Sequence, residues 1–364
     1  MCDLRSTKLS NVIQQVQKLG QSFWYDNIQR GLIDSGDLQH LIDLGITGLT
    51  SNPTIFQKAI AESNDYDQAI LDLARKGKNV DEIYETLVIN DIRAAADLLL
   101  PVHHQSEGRD GYASLEVSPH LAYDTDGTIR EARRLFSKLG RPNVMVKVPG
   151  TTDGVRAIRS LIAEGINVNV TLLFSRDAYC HARGAYIDGL SDFQSLGGDL
   201  TQIASVASFF VSRVDTSVDS RLNPEHDIFM GKAAIANAKL AYRDFEHDFG
   251  GGRFRDLGSL GARPQRPLWA STSVKNPKYN NLMYVESLMG KDTVNTMPEA
   301  TFLSFLEHGS AAETLSQDVD EAAQVFMNLS EIGVDIDKVT SDLLDDGIRL
   351  FTESFDRLKA DIET

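Results

Sequence analysis

The feature that most constrains the fold is an alternation repeated along the whole chain. Short runs rich in β-branched and aromatic residues are separated by longer stretches with helical spacing. The runs are SFWYDN (22–27), GITGLTSN (45–52), YASLEV (112–117), NVMVKVP (143–149), NVNVTLLFS (167–175), ASVASFFVSRV (204–214), PLWAST (267–272) and TVNTM (293–297). Strand and helix signals that alternate in this way predict β/α units with parallel strands. Eight such units close most naturally into a (β/α)8 TIM barrel; an open six-stranded sheet, with two of the runs misassigned, is the alternative. The expected organisation is one α/β barrel domain over 1–364. It carries an N-terminal helix at about 8–19, an insertion at about 215–266 between the sixth and seventh strands, and a C-terminal helical segment at about 318–364.

Two segments outside the strands stand out. The Gly/Arg-rich stretch FGGGRFRDLGSLGARPQRP (249–267) reads as a loop. Near the C-terminus, Leu344, Ile348, Phe351, Phe355, Leu358 and Ile362 recur at steps of three and four, one apolar stripe along a helix. The simplest expectation docks that stripe on the outside of the barrel, with a lid over its mouth as the alternative.

Charge and cysteine content exclude several classes of function. A formal charge of −16 leaves no broad basic surface for nucleic acid or an anionic membrane, so anionic ligands must be met by a few local cations. Two cysteines, Cys2 and Cys180, make no disulfide framework, and neither a signal peptide nor an apolar run of eighteen residues is present. The chain reads as a cytoplasmic protein, monomer or homodimer, without a membrane or nucleic-acid partner. His103 and His104 follow Pro101 in a predicted loop, and no spacing of His, Cys and carboxylates forms a zinc triad. VPGTTDG lacks the Lys-Ser/Thr ending of a nucleotide loop and reads as a strand-to-helix turn. Neither a metal nor a cofactor is expected.

In a closed barrel, outward side chains meet helices and inward ones fill the lumen or line a site at the strands' carboxyl ends. Val144, Val146 and Val148 share the face that helices should cover, which leaves Lys147 on the other. The same alternation sends Asn169 and Thr171, Ser114 and Glu116, Trp24 and Asp26, and Thr50 with Asn52 inward. Each has a plainer reading: Asn52 before Pro53 as a turn, Asp26 as a helix cap, Glu116 as a buried ion-pair partner of Lys147. Together they concentrate costly polar groups in one place, the mark of a reactive site.

Lysine is almost never fully buried without a role or a partner, and burial lowers its pKa toward neutrality. A neutral amine attacks a ketone to give a carbinolamine and then a Schiff base, which permits cleavage or formation of the adjacent carbon–carbon bond. Glu116 is typed as the acid/base that handles water, with Thr171 orienting it, and Asp26 as the base for the hydroxyl of the cleaving bond. Asn52, Asn169 and Ser208 can hydrogen-bond the hydroxyls of a sugar chain.

QSFWYDNI, GLTSNPTIF, LEVSPHLAYDT, VMVKVPGTTDG, NVNVTLLFS, ASFFVSRVD, LWASTSVKNP and NTMPEAT, in that order, resemble the transaldolases, specifically their longer bacterial and plant branch. The resemblance spans nearly the whole chain. It implies a class I aldolase barrel in which Lys147 carries a dihydroxyacetone unit as a Schiff base, Asp26 is the base of the aldol step, and Glu116 acts through a water held with Thr171. It also implies that Asn52 and Asn169 hold donor hydroxyls, and that Arg213, Ser271 and Lys275 meet the substrate phosphate. One departure bears on the last of these. The commoner pattern after the seventh strand is Ser, one residue, then Arg, whereas STSVK places a lysine four positions on, a point charge in place of a bidentate fork.

The implied reaction transfers dihydroxyacetone from sedoheptulose 7-phosphate to glyceraldehyde 3-phosphate, giving erythrose 4-phosphate and fructose 6-phosphate, in the non-oxidative pentose phosphate pathway. The alternatives are a fructose-6-phosphate aldolase that releases free dihydroxyacetone, whose relatives are shorter and usually carry Tyr at the position of Glu116, and a non-catalytic phosphosugar-binding barrel.

Overall fold

The computed structural model describes residues 12–363. Its core is a closed parallel barrel of β1 (Gln21–Tyr25), β2 (Ile46–Leu49), β3 (Tyr112–Glu116), β4 (Val144–Pro149), β5 (Val168–Leu173), β6 (Ser205–Phe210), β7 (Arg266–Ala270) and β8 (Thr293–Met297), in that order around the ring. β8 pairs back onto β1, so no strand edge is left open. Each of the eight runs read from the sequence overlaps one strand; β1 and β7 begin one residue earlier than their runs, and β8 coincides with its run. β6 stops at Phe210 because Val211 turns the chain and Ser212 begins the helix Ser212–Asp219, with the Val211 and Ser212 amides donating to the Ala270 and Ser271 carbonyls.

Period-two alternation sets the two faces of the barrel. Val144, Val146, Val148, Val168 and Val170 are fully buried in the main apolar cluster. Phe23 and Tyr25 point outward into a second cluster with Phe302 and Phe305 of the helix Glu299–His308. Register places Glu116, Lys147 and Asn169 side by side on β3, β4 and β5. Below β4's carboxyl end, Thr151 caps the helix Thr152–Ala163 through the Gly154 amide. Any Cβ at Gly154 would lie 1.9 Å from the Pro149 carbonyl oxygen, so only glycine fits that turn.

The amino end of the lumen is closed by a polar plug. Asp110 accepts from Ser22 Oγ at 2.6 Å, Trp24 Nε1 at 3.0 Å and Arg266 Nη2 at 3.0 Å, and Arg266 Nη1 donates to Ser22 Oγ at 2.9 Å. Burial alone would push the Asp110 carboxyl up; Arg266 and the donors from Ser22 and Trp24 outweigh it and hold it below its ordinary 3.8.

Three expectations are corrected. Pro101, His103 and His104 lie not in a loop but inside the helix Val80–Gln105, whose capping box of Asn79 and Glu82 and long buried face sustain it past the N–H that Pro101 lacks. The Gly/Arg-rich stretch is not a loop throughout: it ends the helix Ala233–Gly250 and forms the helix Gly252–Ser259, which buries Phe254 and Leu257. The last helix, Ile336–Glu363, does not dock on the barrel's outer wall.

That helix crosses the carboxyl end instead. Ser354 meets Thr54 beyond β2 at 2.8 Å, Asp356 and Asp345 meet His120 and Tyr123 beyond β3, and Asp342 meets Arg221 beyond β6. A Cβ at Gly347 would stand 2.9 Å from Leu172 Cδ2 at the top of β5. The stripe of Ile348, Phe351, Phe355, Leu358 and Ile362 is buried, each such burial stabilising by roughly 1.5–3 kcal/mol. The helix Val319–Glu331 precedes it. At the other terminus the described chain is helical over 12–18, and residues 8–11 of the expected helix, like Cys2, lie outside the described residues. Cys180 is free and exposed. Among the described residues no helix is long and apolar enough to cross a membrane.

Asp110→Ala should lower unfolding free energy in urea by about 3–5 kcal/mol, because it leaves the Arg266 charge buried and unpaired. A loss under about 1 kcal/mol would contradict the plug. In the unaltered protein the Asp110 contribution is complete above pH 3.8 and disappears as pH falls below it toward the lowered folded value.

Candidate active site

At the carboxyl end of the barrel the inward residues of the strands and their exits converge. Lys147 is 4% exposed. Its Nζ donates to the Ser51 carbonyl at 2.9 Å and lies 3.3 Å from Glu116 Oε2. The ion pair weighed from the sequence is therefore present, and it leaves the carboxylate under-bonded: both Glu116 oxygens are buried without a hydrogen-bond partner among the described residues. Burial pushes the Glu116 carboxyl up; Lys147 pulls it partly back, and Asp26 adds to the rise.

Asp26, just past β1, keeps some solvent contact and accepts from Thr50 Oγ1 at 2.7 Å. Desolvation raises it above its ordinary value, against the Thr50 hydrogen bond and the Lys147 charge. Two carboxyl groups within electrostatic reach of one amine are thus both biased toward carrying a proton. Thr50 Oγ1 also meets Thr296 Oγ1 of β8 at 2.7 Å, which ties the first, second and eighth strands together at this level.

On the other side of the lumen, Ser208 Oγ donates to Asn169 Oδ1 at 2.8 Å and Asn169 Nδ2 donates to Ser114 Oγ at 3.2 Å. This chain fixes the Asn169 amide. Its oxygen is occupied, and one N–H remains for another acceptor. Thr171 Oγ1 is fully buried without a hydrogen-bond partner among the described residues. Buried polar groups are normally satisfied, so orphans on Thr171 and Glu116 in one lumen mark a place built to receive a hydroxyl or a water.

The candidate phosphate residues separate into two groups. Arg213, half-buried at the start of the helix after β6, lies 5.6 Å from the Phe210 ring centroid and has no carboxylate ion pair among the described residues. Burial lowers its pKa, opposed by Asp346 on the last helix. Ser271 is held beside it: Ser212 Oγ meets Ser271 Oγ at 3.0 Å, and Ser271 takes the left-handed φ of 57°, a conformation that non-glycine residues adopt at a cost. Lys275 is exposed, with no hydrogen bond or ion pair among the described residues. Asn52 sits at the mouth, where its Oδ1 caps the helix Pro53–Ala61 through the Ile55 amide at 3.0 Å. Asn52 is thus a helix N-cap and not the turn residue of its plainer reading, and its amide nitrogen is left for other use.

Sequence reading missed three contributors. Ser51 acts through its carbonyl, which no side-chain pattern signals. Ser114 was visible as an inward polar residue without an assigned role, and Thr296 sits inside NTMPEAT as an ordinary strand threonine. No group of three or more His, Cys, Asp or Glu among the described residues is arranged to hold a metal.

A model of the transaldolase/fructose-6-phosphate aldolase family matches residues 23–362. A protein named transaldolase from Thiobacillus denitrificans is 48% identical over 357 residues, which cover 97% of this chain and 99% of that one. Transaldolase 2 of Nostoc sp. is 44% identical over 369 residues, 97% of each chain. A transaldolase of Neisseria gonorrhoeae is 43% identical over 349 residues, 96% of this chain and 99% of its own.

Thr50→Val keeps the side-chain volume and removes the hydroxyl that restrains Asp26. The Asp26 carboxyl should then titrate at higher pH than in the unaltered protein, followed by carbon NMR of the labelled carboxyl group. An unchanged or lower titration would contradict the balance of burial against hydrogen bonding described above.

Proposed function

Because the chain belongs to the transaldolase/fructose-6-phosphate aldolase family, we propose that it is a transaldolase whose covalent chemistry runs through Lys147. The observation that carries this reading is the placement of the Lys147 amine between the Ser51 carbonyl and the Glu116 carboxylate, with Asp26 close enough to feel its charge.

The amine attacks the keto carbon of the donor sugar. Glu116, acting through a water held with Thr171, moves the proton that converts the carbinolamine to a Schiff base as the carbonyl oxygen leaves as water. Its raised pKa suits it to hold the proton the amine gives up. Asp26 then takes the proton from the hydroxyl on the far carbon of the cleaving bond; that oxygen becomes the aldehyde carbonyl, the bond breaks, and its electron pair moves into the enamine. The enamine attacks the acceptor aldehyde, Asp26 returns its proton to the new hydroxyl, and hydrolysis restores Lys147. Asn169, Ser208, Thr50 and the Asn52 amide orient the donor hydroxyls. Arg213 and Ser271 meet the phosphate, and Lys275 serves as an outer cation on its approach.

The substrates are phosphorylated sugars: sedoheptulose 7-phosphate with glyceraldehyde 3-phosphate in one direction, fructose 6-phosphate with erythrose 4-phosphate in the other. The chain acts as one cytoplasmic catalytic unit, as a monomer or homodimer. The decisive assay supplies fructose 6-phosphate with and without erythrose 4-phosphate. Heptulose formation that requires the acceptor is expected. Release of free dihydroxyacetone at a comparable rate without acceptor would make the protein an aldolase, and saturable binding without turnover would make it a non-catalytic barrel.

Two variants probe the roles. Arg213→Ala should raise KM for phosphorylated donors at least about tenfold, the worth of a lost charge-assisted contact, while leaving reaction with free dihydroxyacetone little changed; equal effects on both would remove Arg213 from the phosphate site. The rate should fall on acidification at a pH above the ordinary carboxyl values of 3.8 and 4.5, because both Asp26 and Glu116 are raised and lose base function when protonated. Glu116→Gln should lower kcat by about 100-fold or more, and retention of kcat would remove Glu116 from the proton path.

A further inference from the structure

The arginines of GARPQRP have no part in the chemistry at the carboxyl end. Arg263 and Arg266 reach the opposite mouth of the barrel, where with Arg109 they line a cavity of about 230 Å³. Its inner wall includes Met145 and Val206, inward residues of β4 and β6 at the level below Lys147 and Ser208. The cavity is therefore a pocket in the amino mouth of the barrel, beside the Asp110–Arg266 plug and at the end away from Lys147.

Three guanidinium groups gather here in a protein of charge −16. Only one lining residue, Asp292, carries a carboxylate. Arg266 is matched by Asp110 in the plug, and Arg109 by Asp292 at 3.1 Å. Arg263 makes no ion pair among the described residues, although its charge reaches the Asp199 carboxyl: its Nη1 donates to the Gly108 carbonyl at 3.2 Å and its Nη2 to that of Glu107. Carbonyls fix its direction without neutralising its charge. In all three arginines the Nε–H has no hydrogen-bond partner among the described residues. The field of Arg263 also helps, after burial, to push His103 below its ordinary value.

We propose that this cavity binds a small oxyanion of phosphate type, either free inorganic phosphate or the phosphate group of a short metabolite. Guanidinium forks match such oxygens in geometry and charge, and the cavity is smaller than the ~300–1,000 Å³ of sites that take larger organic ligands. The anion neutralises the excess charge of Arg263 and competes with Asp292 for Arg109. This site is distinct from the phosphate contacts of Arg213 and Ser271, which lie at the other end of the barrel.

The test is calorimetric titration of the full chain with inorganic phosphate in low-salt buffer free of other oxyanions. An Arg213→Ala background weakens the contact proposed at the active site. Binding should persist in that background and weaken about tenfold or more with either Arg263→Ala or Arg109→Ala. Asp292→Asn should tighten it severalfold, since asparagine tolerates the left-handed φ of 56° at that position and the competing charge is gone. In an otherwise unaltered chain, Arg109→Ala and Asp292→Asn should leave turnover unchanged. If Arg263→Ala fails to fold, Arg109→Ala, whose side chain is 41% exposed, and Asp292→Asn decide the outcome. Glycerol 3-phosphate as a second titrant separates the sources: binding as tight as phosphate assigns a metabolite, exclusion assigns the free ion, and either supports the site. No binding in the Arg213→Ala background, or binding indifferent to Arg109 and Asp292, would overturn it.

Discussion

A buried amine held against a buried carboxylate, Lys147 against Glu116, is the interaction around which this barrel is arranged. Such a pair is expensive to desolvate, and adjacent strands must hold its members in register for the contact to exist at all. β3 and β4 do so by pairing Glu116 with Lys147 directly, and β5 adds Asn169 in the same row. The helices outside the barrel serve that row indirectly, since the valine faces they cover keep β4 and β5 from slipping by one residue. Such a slip would turn Lys147 into the apolar layer.

The two ends of the lumen use the same kinds of group to opposite effect. At the amino end, Asp110 has donors on both oxygens and a guanidinium beside it, and its carboxyl is held low. At the carboxyl end, Glu116 has one ion contact and no well-directed hydrogen bond, Asp26 has one hydroxyl, and both carboxyl groups are pushed up by burial. Full pairing makes a structural plug; incomplete pairing leaves groups whose protons can move. Substrate hydroxyls and water, in the mechanism proposed here, complete the pairing at the carboxyl end. The last helix closes over that end and places Asp346 where its charge reaches Arg213.

The strands were legible because a barrel strand must alternate between a helix-covered face and the lumen, and β-branched residues mark the first while isolated polar residues mark the second. That reasoning located Lys147, Glu116, Asp26, Asn169 and Thr171 on the inward face. It did not reach the Ser51 carbonyl, because backbone groups leave no trace in side-chain pattern. Nor did it reach Asp110, whose place in Arg-Asp-Gly before β3 looks like an ordinary turn until Arg266 arrives from 156 residues away. The stripe on the last helix showed which face is buried but not what buries it, since an apolar stripe fits the outer wall and the barrel mouth equally well. Composition misled at 249–267, where glycine suggested a loop while Phe254 and Leu257, three residues apart, supply the apolar face of a short helix.

The central claim is that Lys147 is the residue that becomes covalently attached to the donor sugar. Borohydride reduction of the protein with fructose 6-phosphate, followed by proteolysis and peptide mass mapping, tests it most directly. The account predicts a reduced three-carbon adduct on the peptide that contains Lys147, absent from Lys147→Met. An adduct on any other lysine, or one that persists in that variant, would contradict it.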